Sequence, residues 1–568
     1  MERASVLGVF AFTSVLGLTA VVACGSGRDQ FATNTEAAPE DGGESSGFPA
    51  LDGGFGGDDA ADPGLPPGET RDPVDCEEAK TSKSYVGCDY WPTVTPNAVW
   101  SIFDYAVVVA NTGTKDANVT VTGPNGVDKQ VTVPSGELRK IYLPWVPSLK
   151  GNDADECGGS TAISASVVAP ESAYHLVSSS PVIVYQFSAL EYKGEGGEAP
   201  DGGVKDWSKC PAKDCADQAI GCFSYSNDAS LLLPSTAMTN NYRVTGYKGV
   251  APVGLPPIFG IPGLSSALTV TATEANTQVT LTLSTTATVI ASSSGQSVPA
   301  TTSGKVTLTL AKAGDVAQFV ADQGKDFSGS LVQTDKPVQV IASIPCISIG
   351  GPACDHIEET VLPAETLGKH YLVAQPTGPK GQPVGQVVRL YGNQDGTTLT
   401  YVPSKPAKCP TTLKAGEMVD CDIVNETFEV SGDKEFGVST FLLGATVYKD
   451  TKGDPSHSNV AAVEQFRTKY VFLAPNDYPV LWADITATED AQIELDGSPL
   501  SAPWTKIGSG PFGVHRVDLT KSGKDGAHTL TAKKPVGVQV IGFGDNTSFQ
   551  YPAGLNLNLI APPPPPPK

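Results

Sequence analysis

The side chains best suited to chemistry are few and scattered. Six histidines, His175, His356, His370, His457, His515 and His528, are spread along 568 residues, and no HExxH, GxSxG or phosphate-cradling glycine loop accompanies them. The densest grouping is Cys354-Asp355-His356-Ile357-Glu358-Glu359, which sets carboxylates and an imidazole on one short segment, the materials of acid–base or metal chemistry. Neighbours in an extended segment point to opposite faces, and Cys354 is better used in a disulfide, so the segment reads as structural. Asp153, Asp155 and Glu156, flanked by Gly151, Gly158 and Gly159, offer oxygens to Ca²⁺, but their spacing does not fit an EF-hand and a solvated acidic loop is expected. Triad catalysis has no nominee among single scattered histidines. No catalytic, cofactor-binding or metal-ligating residue is therefore assigned, and the expectation is a protein that is not an enzyme and needs no cofactor.

Cysteine chemistry is more informative. An apolar run from Val6 to Ala23 ends in Val21-Val22-Ala23-Cys24, which resembles a lipobox, the bacterial signal after which a cysteine is lipidated and becomes the new N-terminus; residues 1–23 are then the signal peptide. Gly25 after that cysteine fits export to the outer membrane or cell surface. Removing Cys24 from the eleven cysteines leaves Cys76, Cys88, Cys157, Cys210, Cys215, Cys222, Cys346, Cys354, Cys409 and Cys421, an even number that suits disulfides in an oxidising compartment. Cys409 with Cys421, Cys346 with Cys354, and Cys76 with Cys88 read as local loop closures. Cys157, Cys210, Cys215 and Cys222 remain with three open connectivities. No CxxC pair occurs and no histidine has zinc-finger phasing, which argues against a metal role.

Composition excludes some partners. A formal net charge of −23 argues against nucleic acid, which is gripped by Lys and Arg displacing counterions, and against an anionic membrane surface. The membrane contact expected is the N-terminal lipid alone. With 60 Gly, 46 Pro and only 17% charged residues, strands and turns are favoured over helices. Residues 24–75 are acidic and poor in apolar residues and read as a disordered, self-repelling tether. Pro562 to Pro567 and Lys568 read as a stiff solvated polyproline tail.

Between tether and tail the chain repeats with a period of roughly 90 to 130 residues. Each of four copies opens with a pair of alternating segments: Tyr105–Ala110 and Val119–Thr122, Leu268–Ala272 and Val279–Leu283, Val387–Tyr391 and Thr398–Tyr401, Ile485–Ala487 and Ile493–Leu495. Period two with turn residues between is hairpin patterning. Three copies then carry a small residue, Gly, an acid and an apolar residue: Ser135-Gly136-Glu137-Leu138, Ala313-Gly314-Asp315-Val316 and Ala415-Gly416-Glu417-Met418, which is turn chemistry. Each copy closes with a strand led by Pro181, Pro337, Gly437 or Pro535; Pro is tolerated at a strand's first residue. Leu233-Pro234 precedes Tyr242 just as Leu362-Pro363 precedes Tyr371. The predicted fold is all-β, with tandem β-sandwich modules of jelly-roll or Ig-like kind and few short helices; a propeller-like closed arrangement is the alternative. The expected divisions are 76–195, 196–355 with a Cys-rich insertion, 356–450, 451–560, and the tail at 561–568. Trp91, Trp100, Trp145, Trp207, Trp482 and Trp504 are candidates for a contact surface, with core packing the default.

Several segments resemble bacterial relatives of the IgGFc-binding protein N-terminal domain, a family common among predicted surface proteins of myxobacteria: Ser84 to Thr93, Cys354 to Pro363, Gly453-Asp454-Pro455 through Val463 to Tyr470, and Val540 to Gly544 followed by Tyr551 to Leu555. The resemblance implies a secreted, β-rich, disulfide-bearing adhesive or matrix-like module without known catalysis; a protein or glycan at the cell surface is the partner expected besides the membrane. Affinity for antibody is not carried over. The functional expectation is thus a surface-anchored lipoprotein that binds or coats, the alternative being a secreted hydrolase or polysaccharide-active enzyme on a β scaffold. Gly453-Asp454-Pro455 is similar to the Asp-Pro step that some mucin-associated modules break by themselves, but here Ser456 intervenes before His457. An intact mass after mild acid treatment, with no fragment ending at Asp454, is the expected outcome.

Overall fold

Strand patterning follows the alternation in the sequence. In Lys305–Leu310 every second side chain is buried, and Ala117–Gly123 buries Ala117, Val119 and Val121 while Asn118 and Thr122 face water. Tyr105–Asn111, Ala267–Ala272 and Gln386–Gly392 are buried along their whole length; each is an interior strand of its sheet, paired on both sides, and a strand covered on both faces shows no alternation. The computed structural model describes residues 72–568 apart from 154–159, 200–202, 204, 208–222, 225, 251–263, 294–297, 351–353, 521 and 523–525. Cys24, the signal peptide and nearly all of the tether lie outside the described residues, as do Asp155, Glu156, Cys157, Cys210, Cys215 and Cys222. The described residues are all-β with few short helices; the α-helical turns among them are Cys76–Ala79, Pro147–Lys150 and Ala445–Tyr448.

The sheets fall into four lobes, and all described residues belong to one unit. The second lobe is a two-sheet sandwich: Asn241–Arg243, Leu331–Thr334, Thr277–Thr282 and Lys305–Leu310 form one layer, and Asp355–Thr360, Val338–Ile347, Ala267–Ala272 and Val316–Val320 the other. That second layer gains an edge strand, Val167–Ala169, from the chain of the first lobe. The third lobe repeats the plan with two four-stranded sheets. In the first and fourth lobes one long strand, His175–Ser188 or Ala527–Gly544, serves both layers. Pro181 and Pro535 sit where these strands exchange one partner for the next, which is where a residue without N–H costs no ladder bond.

Beyond each Pro- or Gly-led strand comes one more short strand that the sequence pattern did not reveal: Ala229–Leu231, Asp355–Thr360, His457–Asn459 and Thr547–Pro552. These four, called axial strands below, meet one another. Ala229–Leu231 and His457–Asn459 each touch both Asp355–Thr360 and Thr547–Pro552, so the four lobes close on a common axis. The hydrophobic core of the first lobe is continuous with that of the fourth, Tyr185 packing on Tyr551 and Phe187 on Phe549. At the seam Ser84 pairs with Asn556, and Arg467 binds both Asn556 and Asp72. The architecture thus joins sandwich-like lobes to a closed, propeller-like order.

Two local devices recur. Tyr242, Tyr371 and Tyr470 are buried, each accepts the N–H of the residue three before it (Thr239, Gly368, Arg467), and each hydroxyl donates to the carbonyl at the root of the Pro- or Gly-led strand, Val338, Phe436 or Val536. Tyr90 does the same with Gly87 and Val182. This clamp explains the Leu-Pro to Tyr spacing: a 3₁₀ turn starting after Pro234 or Pro363 delivers the tyrosine. The second device is the Gly-acid turn. Gly136, Gly314 and Gly416 all have positive φ near 75°, and their N–H groups bond to Asn111, Ala272 and Gly392, whose own N–H groups bond back to Glu137, Asp315 and Glu417.

Disulfides Cys76–Cys88, Cys346–Cys354 and Cys409–Cys421 close loops of 12, 8 and 12 residues within lobes. The proline run, expected to be solvated, instead lies against the second and third lobes, with Ala561 and Pro564 buried. Tyr371→Phe removes a hydroxyl that satisfies one buried donor and one buried acceptor, so a loss of about 1–3 kcal/mol is expected from urea unfolding midpoints.

Candidate functional site

The segment Cys354 to Glu359 runs into the axis, and the alternation of an extended strand sorts its side chains. His356 and Glu358 face the first lobe: Thr95 donates its hydroxyl to Glu358 at 2.6 Å, Gln186 donates its amide at 3.0 Å, and the His356 ring lies 3.5 Å from the same carboxylate. Asp355 turns the other way and accepts the Asn227 N–H at 2.6 Å and the Thr547 hydroxyl at 3.1 Å. Asp228, at the head of the first axial strand, accepts N–H groups from Ala229, Glu358 and His457, that is, from three lobes. Gln550 of the fourth lobe donates to the carbonyls of Thr440 and Ser456 in the third. The axis is therefore stitched by short polar side chains reaching across lobe boundaries.

Its electrostatics are unusual because acids outnumber bases. Asp228, Asp355, Glu358, Glu359 and Asp454 are all at most 2% exposed. Burial pushes the carboxyl groups of Asp228, Asp355 and Glu359 well above the ordinary range, with neighbouring acids adding to the effect. Asp454 is raised to about 7 by burial, and one of its oxygens has no partner among the described residues. His457, stacked on Phe441 with ring centroids 4.4 Å apart, is lowered to about 3 by burial and by the charge of Arg389. A carboxyl without a cation in a dry site keeps its proton. The described acids of the cluster are buried, and the contacts they make hold the lobes together.

The other histidines are dispersed and occupied. His175 stacks on Trp91 and bonds to Asp89, His370 to Glu429, His515 to the Ala502 carbonyl, and His528 to Asp496. Among the described residues no three His, Cys, Asp or Glu side chains group to hold a metal ion. Asp153 of the acidic loop is paired at 2.6 Å with Lys150, itself buried over the Trp145 ring. These residues line an open cleft of about 470 Å³ with Ser101, Asp104 and Asn152. Nearby, Glu191 accepts the Asp104 N–H and Lys205 binds Asp104; burial and the Asp104 charge raise Glu191 to about 7. Trp91 and Trp145 are buried, whereas Trp207 is half-buried and packs on Phe103.

The comparisons with known proteins fit this geometry. A family model described as IgGFc binding protein matches residues 228–542, from the first axial strand to the Pro-led strand of the fourth lobe. The chain belongs to that family. The human IgGFc-binding protein is 23% identical over 288 residues, which are 48% of this chain and 5% of that protein; this family member thus spans a small fraction of its curated relative. A crystal structure of a tetra-tandem repeat in the extending region of a large adhesion protein aligns over 83% of this chain and 99% of its own at 11% identity, with a TM-score of 0.09, and carries no weight for the fold. The family is one of binding proteins, which points away from catalysis.

Sequence reasoning found Cys354 to Glu359 but missed its partners Thr95, Gln186, Asn227, Asp228, Asp454 and Thr547, which lie in different lobes. An acid at or just ahead of the start of each axial strand, at Asp228, Asp355, Asp454 and Asp545, is the one signal that marks the axis. The raised carboxyls set the sign of the pH dependence. A group whose folded pKa lies above its unfolded value contributes stability below the ordinary carboxylate range and loses it as pH rises through the folded value; His457 works in the opposite sense, one group against several. The unfolding midpoint should therefore fall between pH 5 and pH 8, and Asp454→Asn should flatten that fall. A midpoint indifferent to pH would mean that the axial acids are ionised and matched.

Proposed function

We propose that the chain is a lipid-anchored protein of a bacterial cell envelope, displayed at the outer membrane or cell surface, that binds or coats through a protein or glycan ligand. The family match over residues 228–542 carries this reading. The lipobox-like Val21-Val22-Ala23-Cys24 and the acidic stretch after it support anchoring and display, and the disulfides support an oxidising compartment. An axially closed body held by such an anchor presents broad surface for contacts. We propose the module divisions near 195, 355 and 450 from the sequence repeat alone. Cys157, Cys210, Cys215 and Cys222 are proposed to pair among themselves.

A hydrolase is the second reading, favoured by one observation: Asp104 lines an open cleft, and the buried Glu191 carboxyl behind it is close enough to feel the Asp104 charge. One experiment separates the two. The chain is expressed in a Gram-negative host, fractionated, and its Cys24→Ser form is applied to glycan and surface-protein arrays. Expected are membrane retention with a lipid mass increment, release by Cys24→Ser, and saturable capture without product release. Soluble sugar products that vanish in Glu191→Gln would establish the hydrolase, and a cytoplasmic chain with free thiols would remove the display reading.

A further inference from the structure

The proline run does not trail into solvent. Ala561 and Pro564 are buried and Pro565 and Pro567 are half-buried, whereas Pro562, Pro563 and Pro566 are exposed. A polyproline II helix has three residues per turn, so this spacing puts one edge of the helix into the surface. The receiving groove lies where the second lobe meets the third, and its chemistry matches a peptide that has carbonyls but no N–H donors.

Arg243 is the central group. It is 1% exposed, and its guanidinium donates to the carbonyls of Gly329, Asn393 and Pro565 at 3.0, 3.4 and 2.5 Å. No carboxylate pairs with it among the described residues, and burial lowers it to about 10. A buried cation answered only by carbonyl oxygens is matched by an acceptor-rich, uncharged strand. Gln394 donates to the Pro562 carbonyl at 3.4 Å. The two residues flanking the run, which alone keep N–H groups, are clamped at the ends: Ala561 donates to the Glu365 carbonyl at 2.8 Å and Lys568 to the Ala415 carbonyl at 3.0 Å, while the Lys568 ammonium reaches Asp395. Close approach requires glycine. A Cβ on Gly416 would stand 2.5 Å from the Pro567 Cβ, and one on Gly329 would stand 2.0 Å from the Gly416 carbonyl oxygen.

We propose that this groove is a receptor for proline-rich segments in polyproline II form, held in cis by residues 562–567 and open to a proline-rich segment of a partner protein when that run is displaced. The preformed helix loses little entropy on docking. The resident run acts at the high effective concentration of a tethered ligand, so it gates the groove instead of blocking it permanently. The inference stands on the groove alone and is independent of how the chain is anchored.

The test uses a fluorescent peptide with the sequence Ala-Pro-Pro-Pro-Pro-Pro-Pro-Lys and follows its anisotropy on three full chains: unchanged, Pro564→Asp, and Pro564→Asp with Arg243→Gln. Pro564→Asp places a charge on the buried edge and should unseat the run. Saturable binding is expected there at least about tenfold tighter than to the unchanged chain, and Arg243→Gln should abolish it. A second route, the chain lacking residues 562–568, should bind like Pro564→Asp. Equal binding to the unchanged chain, no binding to either folded variant, or binding indifferent to Arg243→Gln overturns the proposal. Failure of both variants to fold also overturns it, because a run indispensable to the fold is not an exchangeable occupant.

Discussion

The described fold depends on bringing the ends of four strands to one buried axis. An axial strand has a lobe on one side and its counterparts on the other, so its backbone and side chains must find partners among themselves. Asp228 shows how this is met. Its carboxyl accepts N–H groups belonging to the first, second and third lobes, so one side chain fixes the rotation of three bodies. Gln550 and Thr547 do the same for the fourth. A hydrophobic axis would bury as much surface, but apolar contacts are non-directional and would leave the lobes free to slip. Buried polar groups favour the arrangement that partners most of them, and that preference sets the register, although the His457 ring nitrogens, the Ser456 hydroxyl and one Asp454 oxygen have no partner among the described residues.

The same requirement explains why acids dominate the axis. Strand ends present N–H groups, and a carboxyl oxygen is the most compact acceptor that reaches two of them. Lysine or arginine would bring a charge that the surrounding N–H groups repel. Protonation settles the balance by turning a buried charge into a neutral donor–acceptor group. Where a large cation is buried, at Arg389, it is answered at 2.7 Å by Asp326 and stacks on Tyr247. Arg243, with only carbonyls around it, is the contrast that marks the groove.

The lobes were legible in the sequence and their assembly was not. Period-two alternation placed the paired strands, the Gly-acid turns occur where three positive-φ glycines are needed, and the Leu-Pro to Tyr spacing marked a clamp before its partner carbonyl was known. All of these are contacts within one lobe, spanning a few residues or one hairpin. The axial strands escaped because they are three to six residues long and, as with Asp355–Thr360, buried on both faces, so the alternation that reveals a half-exposed strand is missing. Residues 562–567 escaped for a related reason: composition shows that the run is stiff but not what it touches, and Arg243 lies more than three hundred residues away in sequence.

Closure has a consequence for where function can reside. In a string of independent sandwiches each module offers its strand faces and both loop ends. Here the axial strand occupies one side of every lobe, Val167–Ala169 covers a sheet edge of the second, and the proline run covers the seam between the second and third. What remains for contact is the outer rim and the grooves between lobes. Grooves are shaped by two lobes at once, so their geometry depends on the same axial hydrogen bonds that set the register. Gly329 and Gly416 touch across that seam, and a rotation of one lobe by even an ångström would open or crush it. A polar axis of this kind is therefore a means of holding ligand-sized gaps constant between bodies that share little else.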